Sequence, residues 1–189
     1  MILCYIYENM ADFEITLLLH RLKNTGKKSI IYISEDTSPI KAQSGLTYIP
    51  DKKISDINNL EGVEALIIPG GPINNEQNEI CPLIKECVKL NKLVSAICFA
   101  PQFLGRAGIL TDYKFTTSCS EEKIKNLGVE NPFNWNNYIN KRTVVDRNVI
   151  TAQGFAFVDF AIEVCTYLNI YEDKEQLRQQ LLRVKTNDM

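Results

Sequence analysis

The chain has 189 residues, of which 45% are hydrophobic and 23% charged, so its composition is globular and not disordered or low in complexity. This length predicts a single domain over residues 1–189. The net charge of −2 provides no basic field, so we expect neither nucleic acid nor a membrane surface as a partner.

The first half of the chain alternates short apolar runs with segments of helical periodicity. Buried strands are predicted at Ile2–Tyr7, Ser29–Ile33, Ala65–Ile68 and Leu93–Ile97, with weak strand potential at Leu46–Ile49. Helices are predicted from Asp12, as the N-cap, to Gly26, at Asn78–Leu90 and at Phe99–Ala107. This alternation predicts an α/β fold with a mainly parallel sheet covered on both faces.

The second half is less regular. Its pattern predicts a short strand at Phe115–Thr117 and a hairpin of Thr143–Val145 and Asn148–Thr151. Helices are predicted at Glu121–Leu127, Val158–Leu168 and Tyr171–Val184. No apolar run approaches the ~20 residues that cross a bilayer. The N-terminus lacks the basic segment of a signal peptide, so we expect a cytoplasmic protein.

Six cysteines and a single histidine restrict the available chemistry. No C-x-x-C pair is present, and a domain of this size does not need disulfides, so we expect free thiols and no metal. The cysteines are Cys4, Cys81, Cys87, Cys98, Cys119 and Cys165.

Three segments should meet beyond the carboxyl ends of the strands, where ligands bind in such sheets. They are Glu8–Glu14, Pro69–Pro72 and Cys98–Pro101. Cys98 follows a buried strand directly, with Ala96 and Ala100 two residues to either side, the pattern of a nucleophile elbow. A helix N-terminus there would lower the pKa of its thiol, although a buried structural cysteine is the alternative.

The neighbouring residues also allow two interpretations. The amides of Gly70 and Gly71 could bind an oxyanion, or the pair could form a tight turn. Glu14 could be a solvated acid, or a protonated one that donates to the Cys98 thiolate and titrates with it as a coupled pair. His20 points ~120° away from Glu14 on the same helix, so we expect it at the surface and not as a base.

Four stretches together resemble the ThiJ/PfpI superfamily over nearly the whole chain: ALIIPGGP, LVSAICFAPQFLGRAGIL, KFTTS and NVITAQGFAFVDFAIEV. The resemblance implies a flavodoxin-like three-layer α/β/α sandwich, a homodimer and no cofactor. It also implies Cys98 as the nucleophile and Glu14 as the acid in contact with it. By position, the backbone amides are those of Gly70, Gly71 and Phe99, and the pocket residues are Ser118, Cys119 and Gly154.

The chain departs from this pattern where relatives carry histidine. Phe99 follows the cysteine in place of the peptidase histidine, and Ser118 follows the Thr-Thr pair. The late His-x-Glu pair of amidotransferase relatives is absent as well, since His20 is the only histidine. Neither triad can form, so we expect neither protease nor amidotransferase activity.

Three functions remain possible. The first is an enzyme, a hydrolase or lyase, in which Cys98 adds to a small electrophile such as an α-oxoaldehyde or an isonitrile. The second is a redox stress-response protein that uses Cys98 oxidation, with Cys119 as an optional resolving thiol. The third is a chaperone or binding module with an apolar patch around Phe99, Phe155 and Phe157.

Overall fold

The structure is a computed structural model that describes residues 1–73, 79–171, 173, 175 and 179. The strands in these ranges are β1 (Ile2–Tyr5), β2 (Ile30–Ser34), β3 (Ile40–Lys41), β4 (Thr47–Tyr48), β5 (Lys52–Lys53), β6 (Ala65–Ile68), β7 (Leu93–Ile97), β8 (Thr143–Asp146) and β9 (Val149–Ala152). The α-helices are α1 (Phe13–Asn24), α2 (Ile80–Lys89), α3 (Pro101–Arg106), α4 (Glu121–Leu127) and α5 (Phe157–Tyr167).

A seven-stranded sheet forms the centre, in the order β5-β2-β1-β6-β7-β9-β8. All its pairs are parallel except the β8–β9 hairpin. Every residue of β1, β6, β7 and β9 is buried, which explains their continuous apolar sequences. Strands β3 and β4 form a separate antiparallel hairpin.

Two apolar cores lie on opposite faces of this sheet. Helices α1 and α5 supply one core, with Leu18 and Phe160 among its fully buried residues. Helices α2 and α3 cover the other face, with Ile84 and Leu104 at its centre. The predicted three-layer α/β/α sandwich with a mainly parallel sheet is therefore confirmed.

The predicted elements agree with the structure except near the loops. Strand β1 ends at Tyr5, and α3 begins at Pro101 because a turn occupies residues 98–100. Phe115 forms only an isolated bridge to Tyr138 where a strand was predicted. The predicted helix Tyr171–Val184 lies almost wholly outside the described residues.

The N-cap prediction for Asp12 is wrong in its chemistry. Asp12 does precede α1, but its side chain makes no capping hydrogen bond. Its carboxylate instead accepts hydrogen bonds from Ser44 and Tyr48, which lie in and beside the β3–β4 hairpin.

No helix within the described ranges combines the length and apolar character needed to cross a membrane.

Candidate active site

The three segments expected at the carboxyl edge of the sheet do meet there. The Ala11 N–H after β1 donates to the Gly70 carbonyl after β6 at 2.8 Å. The Gly70 N–H in turn donates to Glu14 Oε2 at 2.8 Å. The Cys98 N–H after β7 donates to the Ala152 carbonyl of β9, also at 2.8 Å. The ends of four neighbouring strands thus fix one cluster.

Cys98 has the backbone geometry of a nucleophile elbow. Its φ of 63° lies in the left-handed region, which costs a non-glycine residue of order 1–3 kcal/mol unless its surroundings hold it. Two donors hold its carbonyl: the Ser118 N–H at 3.0 Å and the Thr117 hydroxyl at 2.7 Å. Ala96 and Ala100, two residues to either side of Cys98, are fully buried.

Two glycines allow the carboxyl group of Glu14 and the sulfur of Cys98 to come together. A Cβ at Gly70 would lie 2.5 Å from both Glu14 Oε2 and Cys98 Cβ. A Cβ at Gly154 would lie 2.8 Å from Glu14 Oε1 and 2.9 Å from Cys98 Sγ. Any side chain at either position would occupy the space in which the pair sits.

Burial controls the protonation of this pair. Glu14 is 2% exposed, and desolvation raises the pKa of its carboxyl group although hydrogen bonds with Cys98 and the Gly70 N–H oppose the rise. Burial, together with the charge and hydrogen bond of Glu14, raises the pKa of the Cys98 thiol to about 12. Smaller opposing effects come from the Ser118 hydroxyl and the Phe99 N–H.

The expectation of a lowered pKa for the Cys98 thiol is therefore wrong. Helix α3 has six residues and begins three positions after Cys98, so it gives the sulfur little support, and a buried carboxylate opposes a second negative charge. Because the two groups are in contact and each raises or opposes the charge of the other, they titrate as a coupled pair.

Of the remaining residues predicted for the site, Ser118, Gly154 and Phe99 contact this pair, whereas Cys119 has other neighbours. The Gly154 N–H donates to Ser118 Oγ at 2.8 Å, and Ser118 also contacts Cys98. The Gly70 N–H is engaged by Glu14, whereas the Phe99 N–H faces the sulfur. Cys119 is a buried free thiol whose Sγ lies 3.6 Å from the Ser120 carbonyl.

Tyr7 also belongs to this cluster, although it was not among the residues predicted for the site. Its hydroxyl donates to the Pro69 carbonyl at 2.9 Å and would lie 2.6 Å from a Cβ at Gly71. Burial, and then the neighbouring Tyr5, Glu14 and Cys98, hold its pKa well above the usual value. Its place two residues after β1, at the same edge of the sheet, is the only signal that could have identified it.

The other residues singled out from the sequence have separate surroundings. His20 is exposed on α1, where its ring pairs with Asn24. The Phe99 ring lies under Lys123 Nζ at 4.2 Å, and Phe155 is 61% exposed. The described part of the chain contains no group of three His, Cys, Asp or Glu side chains placed to hold a metal ion.

Fold and site together define a flavodoxin-like α/β protein with a cysteine on a nucleophile elbow and a buried glutamate beside it. The model of the DJ-1/PfpI family matches residues 1–166. The chain therefore belongs to the DJ-1/PfpI family, as the resemblance predicted.

Relatives and solved structures agree with this assignment. The chain is 38% identical over 152 residues to the uncharacterized protein MJ0967 of Methanocaldococcus jannaschii, covering 78% of this chain and 67% of that protein. It is 27% identical over 151 residues to the deglycase TK1284 of Thermococcus kodakarensis, covering 77% and 85%. The thiJ/pfpI family protein of Bacillus anthracis superimposes with a TM-score of 0.84 at 25% identity, over 98% of this chain and 90% of that one.

Proposed function

We propose that this protein is a cysteine-dependent enzyme that acts on small electrophilic carbonyl compounds, with Cys98 as nucleophile and Glu14 as acid and base. The observation that carries this proposal is the contact of a buried carboxyl group with an elbow cysteine, made possible by Gly70 and Gly154. The relative that is named a deglycase supports the same class of substrate.

The high pKa of the thiol assigns the proton transfer to Glu14. When a carbonyl carbon approaches, the Cys98 S–H proton passes to the Glu14 carboxylate while the S–C bond forms. The carbonyl π electrons become an oxyanion, which takes the proton back from Glu14 and yields a hemithioacetal. In this sequence the sulfur never becomes a separate thiolate, which suits a site where burial disfavours a negative charge on sulfur.

Backbone and hydroxyl donors complete the arrangement. The Phe99 N–H and the Ser118 hydroxyl contact the sulfur and stabilise the charge that develops on it. The Gly71 amide is assigned to the oxyanion, whereas the Gly70 N–H orients Glu14. Ser118 stands where many relatives have histidine, so acid–base work falls to Glu14 alone.

Turnover of methylglyoxal tests the proposal. We expect consumption of methylglyoxal by the wild type and its loss in Cys98→Ser, with circular dichroism showing an intact fold. Cys81→Ser is the matched control because Cys81 is a partly buried cysteine in no disulfide and outside the site, and the variant should keep full activity. An isonitrile tested in parallel covers the other electrophile class.

Equal rates for the wild type and Cys98→Ser with both compounds would reject the enzyme. The redox alternative then predicts a +32 Da mass on Cys98 after mild peroxide treatment, which the raised thiol pKa disfavours because oxidation proceeds through the thiolate. Aggregation suppression that persists in Cys98→Ser would instead favour a chaperone. We therefore propose a small electrophile as the substrate. We also propose that the chain forms a homodimer and acts in the cytoplasm.

A further inference from the structure

The peptide unit between Pro69 and Gly70 connects Tyr7 to Glu14. The Tyr7 hydroxyl donates to the Pro69 carbonyl oxygen at 2.9 Å. The Gly70 N–H donates to Glu14 Oε2 at 2.8 Å. This carbonyl and this N–H belong to one trans peptide unit, so they point in opposite directions from a rigid plane. Tyr7 and Glu14 therefore hold the two ends of the same unit.

The hydrogen bond at the carbonyl end determines how well the N–H end supports the carboxylate. Because the unit rotates as a plane, a donor on the Pro69 oxygen also fixes the direction of the Gly70 N–H. Donation to the carbonyl polarises the amide as well, which makes its N–H a stronger donor. Burial raises the pKa of the Glu14 carboxyl group, and the Gly70 N–H is one of two hydrogen bonds that oppose the rise. The Tyr7 hydroxyl thus influences Glu14 through the backbone.

Two consecutive glycines make this turn dependent on such restraints. Glycine has more backbone freedom than any other residue, so Gly70 and Gly71 do not fix the planes of their own peptide units. The Ala11 N–H donates to the Gly70 carbonyl at 2.8 Å and holds the second unit, whose N–H is the Gly71 amide assigned to the oxyanion. Tyr7 holds the first unit, whose N–H faces Glu14.

The surroundings of Tyr7 keep its hydroxyl in place and protonated. Its ring stacks on that of Tyr5 with centroids 5.2 Å apart and meets the Phe103 ring edge-on at 5.4 Å. A Cβ at Gly71 would lie 2.6 Å from the hydroxyl oxygen, so the glycine leaves the space that the hydroxyl needs. Burial is the first cause that holds the pKa of the phenol well above its usual value, so the hydroxyl remains a donor wherever Glu14 titrates.

We propose that Tyr7 is a positioning residue for Glu14, because its hydroxyl fixes the peptide unit that donates to the carboxylate. This inference rests on the proposed function, in which Glu14 is the base that accepts the proton of the Cys98 thiol. Tyr7 acts on that base and not on the substrate. Loss of its hydroxyl should therefore lower kcat and leave KM nearly unchanged.

Titration of the Glu14 side chain in Tyr7→Phe tests this role, because the variant keeps the ring and removes only the hydroxyl. The carbon-13 resonance of the carboxyl carbon reports the titration and is assigned by its absence in Glu14→Gln. We expect the pKa of Glu14 to rise by at least about 0.5 pH unit, since its carboxylate loses part of the support of the Gly70 N–H. Tyr113→Phe is the matched control and should leave this pKa unaltered, because the Tyr113 hydroxyl donates to Asn148 at the opposite end of β9.

The pH dependence of methylglyoxal turnover provides a second readout. The titratable groups that face Glu14 are Cys98, in the turn after β7, and Tyr7, after β1. Turnover requires the Glu14 carboxylate as a base, so it is lost as the pH falls through the pKa of Glu14, and a raised pKa moves this acidic limb to higher pH. In Tyr7→Phe we expect the limb for kcat to move by at least about 0.5 pH unit while KM changes by less than about twofold.

A second variant displaces the hydroxyl without removing it. Gly71→Ala places a Cβ 2.6 Å from the Tyr7 oxygen and should raise the pKa of Glu14 as Tyr7→Phe does. The same pKa of Glu14 in the wild type and in both variants would overturn the proposal. So would a Tyr7→Phe variant that loses activity through an increased KM with the pKa of Glu14 unchanged. A raised pKa in a protein that consumes no methylglyoxal would uphold the link between Tyr7 and Glu14 and reject only the enzymatic function.

Discussion

Glu14 and Cys98 occupy one buried environment, so the charge on either group governs the other. The carboxylate is among the causes that raise the pKa of the Cys98 thiol to about 12. Glu14→Gln keeps the shape of the side chain but removes this charge. We expect the thiol pKa to fall by more than about one pH unit, so that alkylation by iodoacetamide becomes faster at neutral pH while carbonyl turnover is lost.

Thiolate absorbance as a function of pH measures this change. The spectrum of the same chain carrying Cys98→Ser is subtracted to remove the other cysteines. Glu8→Gln is the control, because Glu8 is an exposed acid that precedes the same helix. A pKa that stays the same or rises in Glu14→Gln would show that the carboxyl group is protonated and already stabilises the thiolate.

Ser118 acts on the same sulfur with the opposite sign. Its hydroxyl group lowers the pKa of the Cys98 thiol and accepts the Gly154 N–H at 2.8 Å. Ser118→Ala should therefore raise the thiol pKa and slow alkylation at every pH below it. Ser118→Thr keeps a hydroxyl group and should restore the wild-type profile. Identical pH profiles for the wild type and Ser118→Ala would remove Ser118 from the proposed mechanism.

At the level of elements, the turn that follows β6 brings α1 and the elbow together. Gly70→Ala places a Cβ 2.5 Å from Cys98 Cβ and Glu14 Oε2, so we expect a loss of about 1–3 kcal/mol in the free energy of unfolding and a changed thiol pKa. Gly62→Ala is the matched control. The φ of +71° at Gly62 strains an alanine. A Cβ there would meet no atom within 4 Å, so the substitution would not touch Glu14 or Cys98.

Urea denaturation and thiol titration of both variants distinguish the effect of backbone strain from that of a steric clash with Glu14 and Cys98. Gly62→Ala should lose about 1 kcal/mol and keep the wild-type thiol pKa. If Gly70→Ala also kept the wild-type pKa, the close approach at Gly70 would not be what positions the pair.

The elements that the sequence predicted best are those with continuous burial. Strands Ala65–Ile68 and Leu93–Ile97 and helix Glu121–Leu127 have the predicted bounds, because apolar runs and clear turn residues delimit them. The two-residue strands β3 and β5 could not be predicted, since tertiary contacts and not periodicity define them. The hydrogen bonds of Asp12 could not be predicted for the same reason, because its partners Ser44 and Tyr48 are 32 and 36 residues away in sequence.

Membership of the candidate site was predictable from topology, whereas its electrostatics were not. Strand ends that meet at one edge of a parallel sheet bring the segments that carry Glu14 and Cys98 to the same place. The thiol pKa depends on burial and on the distance between two charges, which a sequence does not contain. Tyr7 was missed for a related reason, because its contact with Gly71 arises from side-chain packing.

The resemblance implies a homodimer, and exposed aromatic residues offer a surface on which two copies could pair. Phe13 and Phe155 are 54% and 61% exposed, and the ring of Phe13 packs edge-on against that of Phe157 at 5.9 Å. This contact joins the start of α1 to the start of α5, and Phe155 lies two residues before Phe157 in the turn that leads into α5. Exposed aromatic groups of this kind are enriched at protein interfaces.

We therefore expect self-association through the surface formed by Phe13, Phe155 and Phe157. Phe155→Asp should shift the monomer–dimer equilibrium toward monomer by at least about tenfold, because an interface would have to desolvate the new charge. Sedimentation velocity over a range of concentrations measures the shift. Leu127→Asp serves as the control, since Leu127 is 49% exposed at the end of α4. A dimer that resists Phe155→Asp must pair through another surface, and a chain that is monomeric at every concentration would contradict the homodimer itself.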